Sequence, residues 1–328
     1  MRLCLNDKEF GYYSTSSPIG ADGDFVTAPE ISQMFGEMIG LWCAVTWEQL
    51  GKPEAVNIVE LGPGKGTLMQ DLLRAIKSRP HLSEAVSIHL VEIGERLRTV
   101  QQEKLLEFGP VWHTHIDEIP SSSPMIIIAN EFFDALPTIQ YQMCDTGWHE
   151  RYITYENGKF NYILSRQIKN LEIKGNIGDI YETSPARSTY MAAIESRLCR
   201  DGGAALIFDY GHDRSSIGDT IQAVRDHSVE PIFSHPGLAD LTSHVDFEDL
   251  LRSVRSVSAF GPISQEKFLR GLGIEARAAI LQRNASVAQA RDIESSLIRL
   301  VSPYQMGNLF KVLALCQIGT AIPAGFER

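Results

Sequence analysis

Basic residues are in short supply in this chain: 30 Lys and Arg stand against 41 Asp and Glu, a net charge of −11 over 328 residues. Such a surface repels a phosphate backbone unless its cations are strongly clustered, so nucleic acid is a poor partner. Cysteine is scarce too. Cys4, Cys43, Cys144, Cys199 and Cys316 are odd in number, widely scattered and without a C-x-x-C pair. That argues against a disulfide framework and against a zinc site, and it suits a reducing compartment. Long apolar runs are missing as well. Uncharged stretches such as Met38 to Trp47 and Val312 to Phe326 fall short of the roughly 20 residues that span a bilayer, so no membrane insertion is expected. Met1 to Phe10 holds two acids and two bases, which matches neither a secretory signal nor an acid-poor transit peptide. The expected location is the cytoplasm. There is no internal repeat and no low-complexity tract.

What is present is an ordinary globular composition, 44% hydrophobic and 22% charged, long enough for one large domain with an insertion, or for two. Gly11 to Pro29 reads as a loop with aromatic anchors Tyr12, Tyr13 and Phe25. A helical pattern then starts at Pro29 (Ile31, Met34, Met38, Leu41, Val45) and stops at Gly51 and Pro53. From Ala55, short apolar runs at 55–61, 86–91, 125–129 and 204–208 alternate with amphipathic helices, the signature of a parallel sheet wound on both faces. Three polar-apolar alternations, Ile139–Met143, His149–Tyr155 and Lys159–Leu164, are separated by Thr146-Gly147 and Asn157-Gly158 turns. They predict a small antiparallel addition on the edge of the main sheet. Residues 211–246 lack a period and are long for a structureless loop, which points to function. A strand at Val254–Phe260, helices from Gln265 to about Leu300 and a strand at Leu309–Leu315 complete the chain. The expected division is 1–53 as a loop and helix covering a donor site, 54–137 and 202–328 as the core, and 138–201 and 212–250 as inserted segments on the substrate side.

The strongest chemical signal is Glu60-Leu61-Gly62-Pro63-Gly64-Lys65-Gly66-Thr67, which follows a buried strand and opens a helix. Glycines 62, 64 and 66 let backbone approach a ligand closely, and Thr67 with Gln70 reads as a capping box. A dinucleotide fingerprint requires glycine where Thr67 stands, and Glu60 would repel a pyrophosphate. The same carboxylate favours a cationic ligand with an amino group and a sulfonium, which is S-adenosylmethionine. Glu92 ends the second strand, where adjacent strand ends present an acid to ribose hydroxyls. Asp117 is placed near the adenine and Asn130, at the end of the fourth strand, on the donor side. That strand runs into Glu131-Phe132-Phe133-Asp134. If the turn is helical, Glu131 and Asp134 share a face and can hold a guanidinium or ammonium. The bland alternatives are a tight turn, a solvated acid at Glu92 and a local cap at Asp134.

Gly11-Tyr12-Tyr13, Gly23-Asp24-Phe25-Val26-Thr27-Ala28-Pro29-Glu30, Glu60-Leu61-Gly62-Pro63-Gly64, Asn130 to Pro137, Asp209-Tyr210-Gly211, Asp240 to Phe247 and Met306 to Lys311 together resemble the MidA-like methyltransferases. These are bacterial and mitochondrial relatives of a respiratory complex I assembly factor. The resemblance spans nearly the whole chain, although the family has a longer lead-in before Gly-Tyr-Tyr. It implies a class I methyltransferase fold, α/β and Rossmann-like, with a seven-stranded sheet, and S-adenosyl-L-methionine as cofactor. It further implies a protein substrate, with symmetric dimethylation of arginine on a complex I subunit or its bacterial homologue. A mitochondrial matrix location follows if a leader has been removed, and a homodimer is compatible with it. The resemblance places Gly62, Gly64 and Gly66 along the donor, Glu60 at its methionine end, Glu92 at its ribose, and Glu131 and Asp134 on the acceptor side. In-line methyl transfer would need a proton acceptor, for which His227 and His244 are candidates beside the two acids. Tyr12, Tyr13 and Phe25 are candidates for a lid. Two rival readings stay open: a small-molecule or nucleic-acid methyltransferase, and a donor-binding assembly chaperone with no required catalysis.

Overall fold

Apolar side chains that alternate between the two faces of every central strand can be buried only if helices cover both sides of the sheet. The computed structural model describes residues 1–15, 27–168 and 171–327. Its strands in chain order are β1 (Val56–Leu61), β2 (Val86–Val91), β3 (Val111–His113), β4 (Met125–Asn130), β5 (Ile139–Cys144), β6 (Gly147–Glu156), β7 (Lys159–Gln167), β8 (Ile180–Thr183), β9 (Gly203–His212), β10 (Gln222–Arg225), β11 (Ser228–Glu230), β12 (Asp240–Thr242), β13 (Val245–Asp246), β14 (Ser258–Ser264) and β15 (Phe310–Cys316).

The main sheet runs β14-β15-β9-β4-β1-β2-β3, with the short β13 added beside β9. β1, β2, β3, β4 and β9 are parallel, and β15 is antiparallel to both β9 and β14. Ile58, Ile126, Ile128, Leu206 and Phe208 face one core with the Gln33–Gln49 and Thr67–Ile76 helices. Val59, Leu61, Ile127, Ala129 and Ile207 face the other, with the Pro185–Asp201 helix. The chain leaves β1 for β2 on one side and returns to β4 on the other. This reversal opens a crevice beyond the carboxyl ends of β1 and β4, where open α/β sheets bind ligands.

Four expectations need correction. The helix predicted from Pro29 is broken, because Ser32 is extended and its side chain accepts from the Met34 amide, so the long helix begins at Gln33. The predicted hairpins do not extend the main sheet; they form their own sheet, β7-β6-β5-β8. The stretch from 211 to 246 is not a structureless loop: it carries the short strands β10, β11 and β12, which form a third sheet. The strand expected from Val254 starts at Ser258, because the amides of Arg255 and Ser256 are taken by the Glu195 carboxylate instead of a ladder. Among the described residues, no helix is long and apolar enough to cross a membrane.

Candidate active site

β1 ends in a turn whose three glycines are all left-handed, with φ of 62° at Gly62, 52° at Gly64 and 75° at Gly66. Side chains rarely adopt this conformation, so the sequence Gly-Pro-Gly-Lys-Gly is what the backbone path demands. A Cβ on Gly62 would lie 2.9 Å from the Phe132 ring. Gly62, Gly64, Lys65 and Thr67 line a cavity in the crevice. Gly66 does not line it: it is the helix N-cap and faces Leu105 and Gln101. The predicted capping box is absent for the same reason, since left-handed Gly66 starts the helix one residue early and leaves Thr67 at its first position. The Thr67 hydroxyl instead donates to Glu30 and accepts from Lys104 Nζ at 2.5 Å.

Two buried acids stand at the strand ends. Glu60 is 3% exposed and its Oε2 has no hydrogen-bond partner among the described residues. Burial, with Glu92 nearby, pushes its pKa to about 8. Glu92 accepts from the Gly94 amide at 2.7 Å and from Gln101 Nε2 at 3.3 Å, and burial raises its pKa. Gln101 also donates to the Gly64 carbonyl at 2.7 Å and accepts from Trp112 Nε1 at 2.8 Å, tying the glycine turn to β2 and β3.

On the other side of the cavity, the turn after β4 is not helical as supposed, because Glu131 takes a left-handed φ of 51°. Glu131 and Asp134 both line the cavity nonetheless. Glu131 Oε1 accepts from the Ala28 amide and from Asn130 Nδ2, each at 3.3 Å. Burial, then the charge of Asp134, pushes the Glu131 pKa to about 8. Asp134 is buried and its pKa is raised by that burial; its Oδ1, like Asn130 Oδ1, has no partner among the described residues. Fully buried Asp209 fixes the turn by accepting from the amides of Phe133 (2.9 Å) and Asp134 (3.2 Å). Arg187 grips it from outside through the Phe133, Ser243 and His244 carbonyls.

Two predicted residues fall elsewhere. Asp117 is exposed on a 3-10 turn beside His115 and does not line the cavity, because the chain turns away after Thr114. His227 is exposed at the β10–β11 turn, again off the cavity, since that hairpin points its tip to solvent. His244 is half-buried against the Tyr210 ring and lines a separate polar cleft with His212. Tyr12 is fully buried as a packing residue, Tyr13 lines the cavity, and Phe25 lies outside the described residues. Sequence reasoning missed Asp240, Asp209 and Arg187. An acid opening the Asp240–Phe247 string within an unusually long aperiodic segment was the available signal for the first.

Among the described residues six carboxyl groups line the cavity, from Glu30, Glu60, Glu92, Glu131, Asp134 and Asp240, against one basic side chain, Lys65. Four buried acceptor atoms lack donors among the described residues: Gln265 Oε1, away from the cavity, and three on it, Glu60 Oε2, Asn130 Oδ1 and Asp134 Oδ1. Orphaned buried acceptors are costly and rare, and the three on this cavity call for N–H donors and positive charge. The residues therefore fit S-adenosylmethionine, which brings a sulfonium charge and N–H donors, and the glycine turn leaves room for it.

Residues 38–263 match a family model described as "Putative S-adenosyl-L-methionine-dependent methyltransferase". The chain is 34% identical, over its full length and 85% of the relative's, to "Protein arginine methyltransferase NDUFAF7, mitochondrial" of Xenopus tropicalis. The Danio rerio protein of the same name is 35% identical over 96% of this chain and 82% of its own. A crystal structure of a Burkholderia thailandensis protein, described as a "likely methyl transferase" and bound to S-adenosyl-homocysteine, superposes with a TM-score of 0.84 at 25% identity, covering 99% of this chain and 88% of that one. With a fold, a glycine turn and a donor-poor acidic cavity that agree, the chain belongs to the MidA-like family of S-adenosylmethionine-dependent methyltransferases.

Proposed function

We propose that this enzyme is a protein arginine N-methyltransferase that forms symmetric dimethylarginine on a subunit of respiratory complex I or its bacterial homologue. The observation that carries the reading is the pair of acids, partly buried Glu131 and buried Asp134, on the same cavity as the donor-side glycine turn. An arginine side chain keeps its charge under all ordinary conditions and presents a planar fork of N–H groups, the complement of two carboxylates. The curated relatives named above carry the name protein arginine methyltransferase, and they are mitochondrial proteins.

S-adenosylmethionine, when bound, supplies an electrophilic methyl group on a sulfonium. The protein's part is positioning, charge and proton transfer. Glu131 and Asp134 orient the guanidinium so that one nitrogen lies in line with the methyl carbon, and holding the reactants in that geometry accounts for much of the rate. The nitrogen–carbon bond forms as the carbon–sulfur bond breaks with its electrons going to sulfur, and one N–H proton must then leave. Glu131 is suited to take it: burial pushes its pKa to about 8 in the empty cavity, a guanidinium beside it favours the carboxylate form, and that carboxylate is a better proton acceptor than an ordinary one. Neither His227 nor His244 is needed for this step, since neither lines the cavity.

The test is incubation with labelled donor and host lysate, followed by mass spectrometry of complex I subunits with and without the enzyme. Label on arginine, as the symmetric dimethyl form, is expected. Label confined to nucleic acid or small solutes, or donor uptake with no transfer, rejects the proposal.

A further inference from the structure

Resting on the guanidinium reading above, we infer that Asp240 on β12 is a third acceptor-side carboxylate, one that sets specificity for a guanidinium over a primary amine. Asp240 is buried and lines the cavity shared by Glu131 and Asp134. The Tyr13 hydroxyl, also on the cavity, donates to Asp240 Oδ1 at 3.0 Å and fixes its orientation. The two acidic walls are held together. Just beyond β12, the Ser243 amide donates to the Asp134 carbonyl at 3.1 Å, and Arg187 Nη2 donates to both the carbonyl and the hydroxyl of Ser243. The position of Asp240 relative to Asp134 is thus set by the same clamp that shapes the catalytic turn.

The independent sign of a ligand here is Asp134 Oδ1, buried and without a partner among the described residues. A donor must arrive from the cavity to satisfy it, and Asp240 approaches from a different element of the fold. Acceptors on separate walls suit a planar cation whose N–H groups point outward along several edges; a compact ammonium can reach one wall well but not all of them. The charge count agrees. A sulfonium and a guanidinium bring two positive charges, and after transfer the methylated guanidinium and the released proton still total two. Of Glu131, Asp134 and Asp240, two can face the guanidinium fork before transfer, and one of the three takes the released proton after it.

The test uses the full chain loaded with S-adenosylhomocysteine, titrated calorimetrically with n-butylguanidinium and, separately, n-butylammonium. Asp240→Asn should weaken n-butylguanidinium by about tenfold or more, the scale of a lost charge-assisted pair. Binding of n-butylammonium and of S-adenosylhomocysteine should move little, and Tyr13→Phe should show a smaller loss in the same direction. If Asp240→Asn binds n-butylguanidinium like the parent while Asp134→Asn does not, Asp240 has no such role and the arginine reading survives. An equal loss of S-adenosylhomocysteine affinity would also overturn the inference, by making Asp240 a structural residue. If the parent enzyme shows no preference for n-butylguanidinium over n-butylammonium, both fall together.

Discussion

Glu131 is where the proposed chemistry and the backbone meet, because this left-handed residue lines the cavity. Glu131→Gln keeps the shape but removes both the charge and the proton acceptor. Methyl transfer should fall by about a hundredfold or more, with S-adenosylhomocysteine affinity kept within a few-fold; full activity in this variant would refute the assignment. The same carboxyl gives a pH signature. Its folded pKa, about 8, is above the ordinary 4.5, so the empty protein loses the stability of the protonated form as pH rises through that window. Glu131→Gln has nothing to titrate there, so its melting temperature should gain on the parent's between about pH 5 and pH 8. A constant gap across that range would mean the carboxyl is not buried as described. At the donor side the constraint is steric. A valine at Gly64 must adopt a φ of 52°, which β-branched side chains resist, and it projects into the lining. Gly64→Val should lose S-adenosylhomocysteine binding in calorimetry while the chain stays folded.

The turn from Glu131 to Leu136 holds its shape only because other elements occupy its backbone groups. Arg187, on the first turn of the Pro185–Asp201 helix, makes four hydrogen bonds of 2.7 to 2.9 Å, to Phe133, His244 and two atoms of Ser243. It also offsets buried Asp209 and Asp134. Arg187→Met should cost roughly 3–5 kcal/mol, because it leaves those acids buried without their cation. Arg187→Lys should recover only part of the loss, one point charge being unable to span the three carbonyls. Thermal denaturation of the two variants decides the matter, and unchanged melting would show the clamp to be idle. This is also the level at which sequence reading reached its limit. β1 and β4 were plain because their six buried residues are mostly apolar, as in the run Met125–Ala129, and the glycine turn was plain because its residues are what left-handed backbone requires. The orientation of Glu131, the reach of Arg187 and the place of Asp240 arise from contacts between residues 54 to 227 positions apart. No local period encodes such pairings. The two-sheet misreading has a similar origin: alternation in β5, β6 and β7 shows that strands pair with each other, but not which sheet they join.

Across the whole molecule, charge is the property that composition made visible and the fold then concentrated. A net −11 spread evenly would be little more than a solubility device. Here, among the described residues, six carboxyl groups and a single lysine line the cavity at the strand ends of β1, β2 and β4, so the field is focused where the cationic donor and the proposed cationic acceptor would meet. Clefts lined by one sign of charge raise the local concentration of oppositely charged ligands, and the effect is screened by salt. The consequence separates steering from chemistry. For an arginine-containing peptide, raising NaCl to about 0.5 M, where the screening length is only about 4 Å, should increase KM by about three- to tenfold. The maximal rate should change by less than about twofold, because pairs already desolvated inside the cavity are screened far less. S-adenosylhomocysteine, which lacks the sulfonium charge, should bind with nearly constant affinity over the same range. Steady-state kinetics with a peptide substrate, beside calorimetry of the donor product, measures all three quantities. A KM indifferent to salt would show that the acidic cavity acts only on contact and that the surplus of acid elsewhere on the surface takes no part in drawing the substrate in.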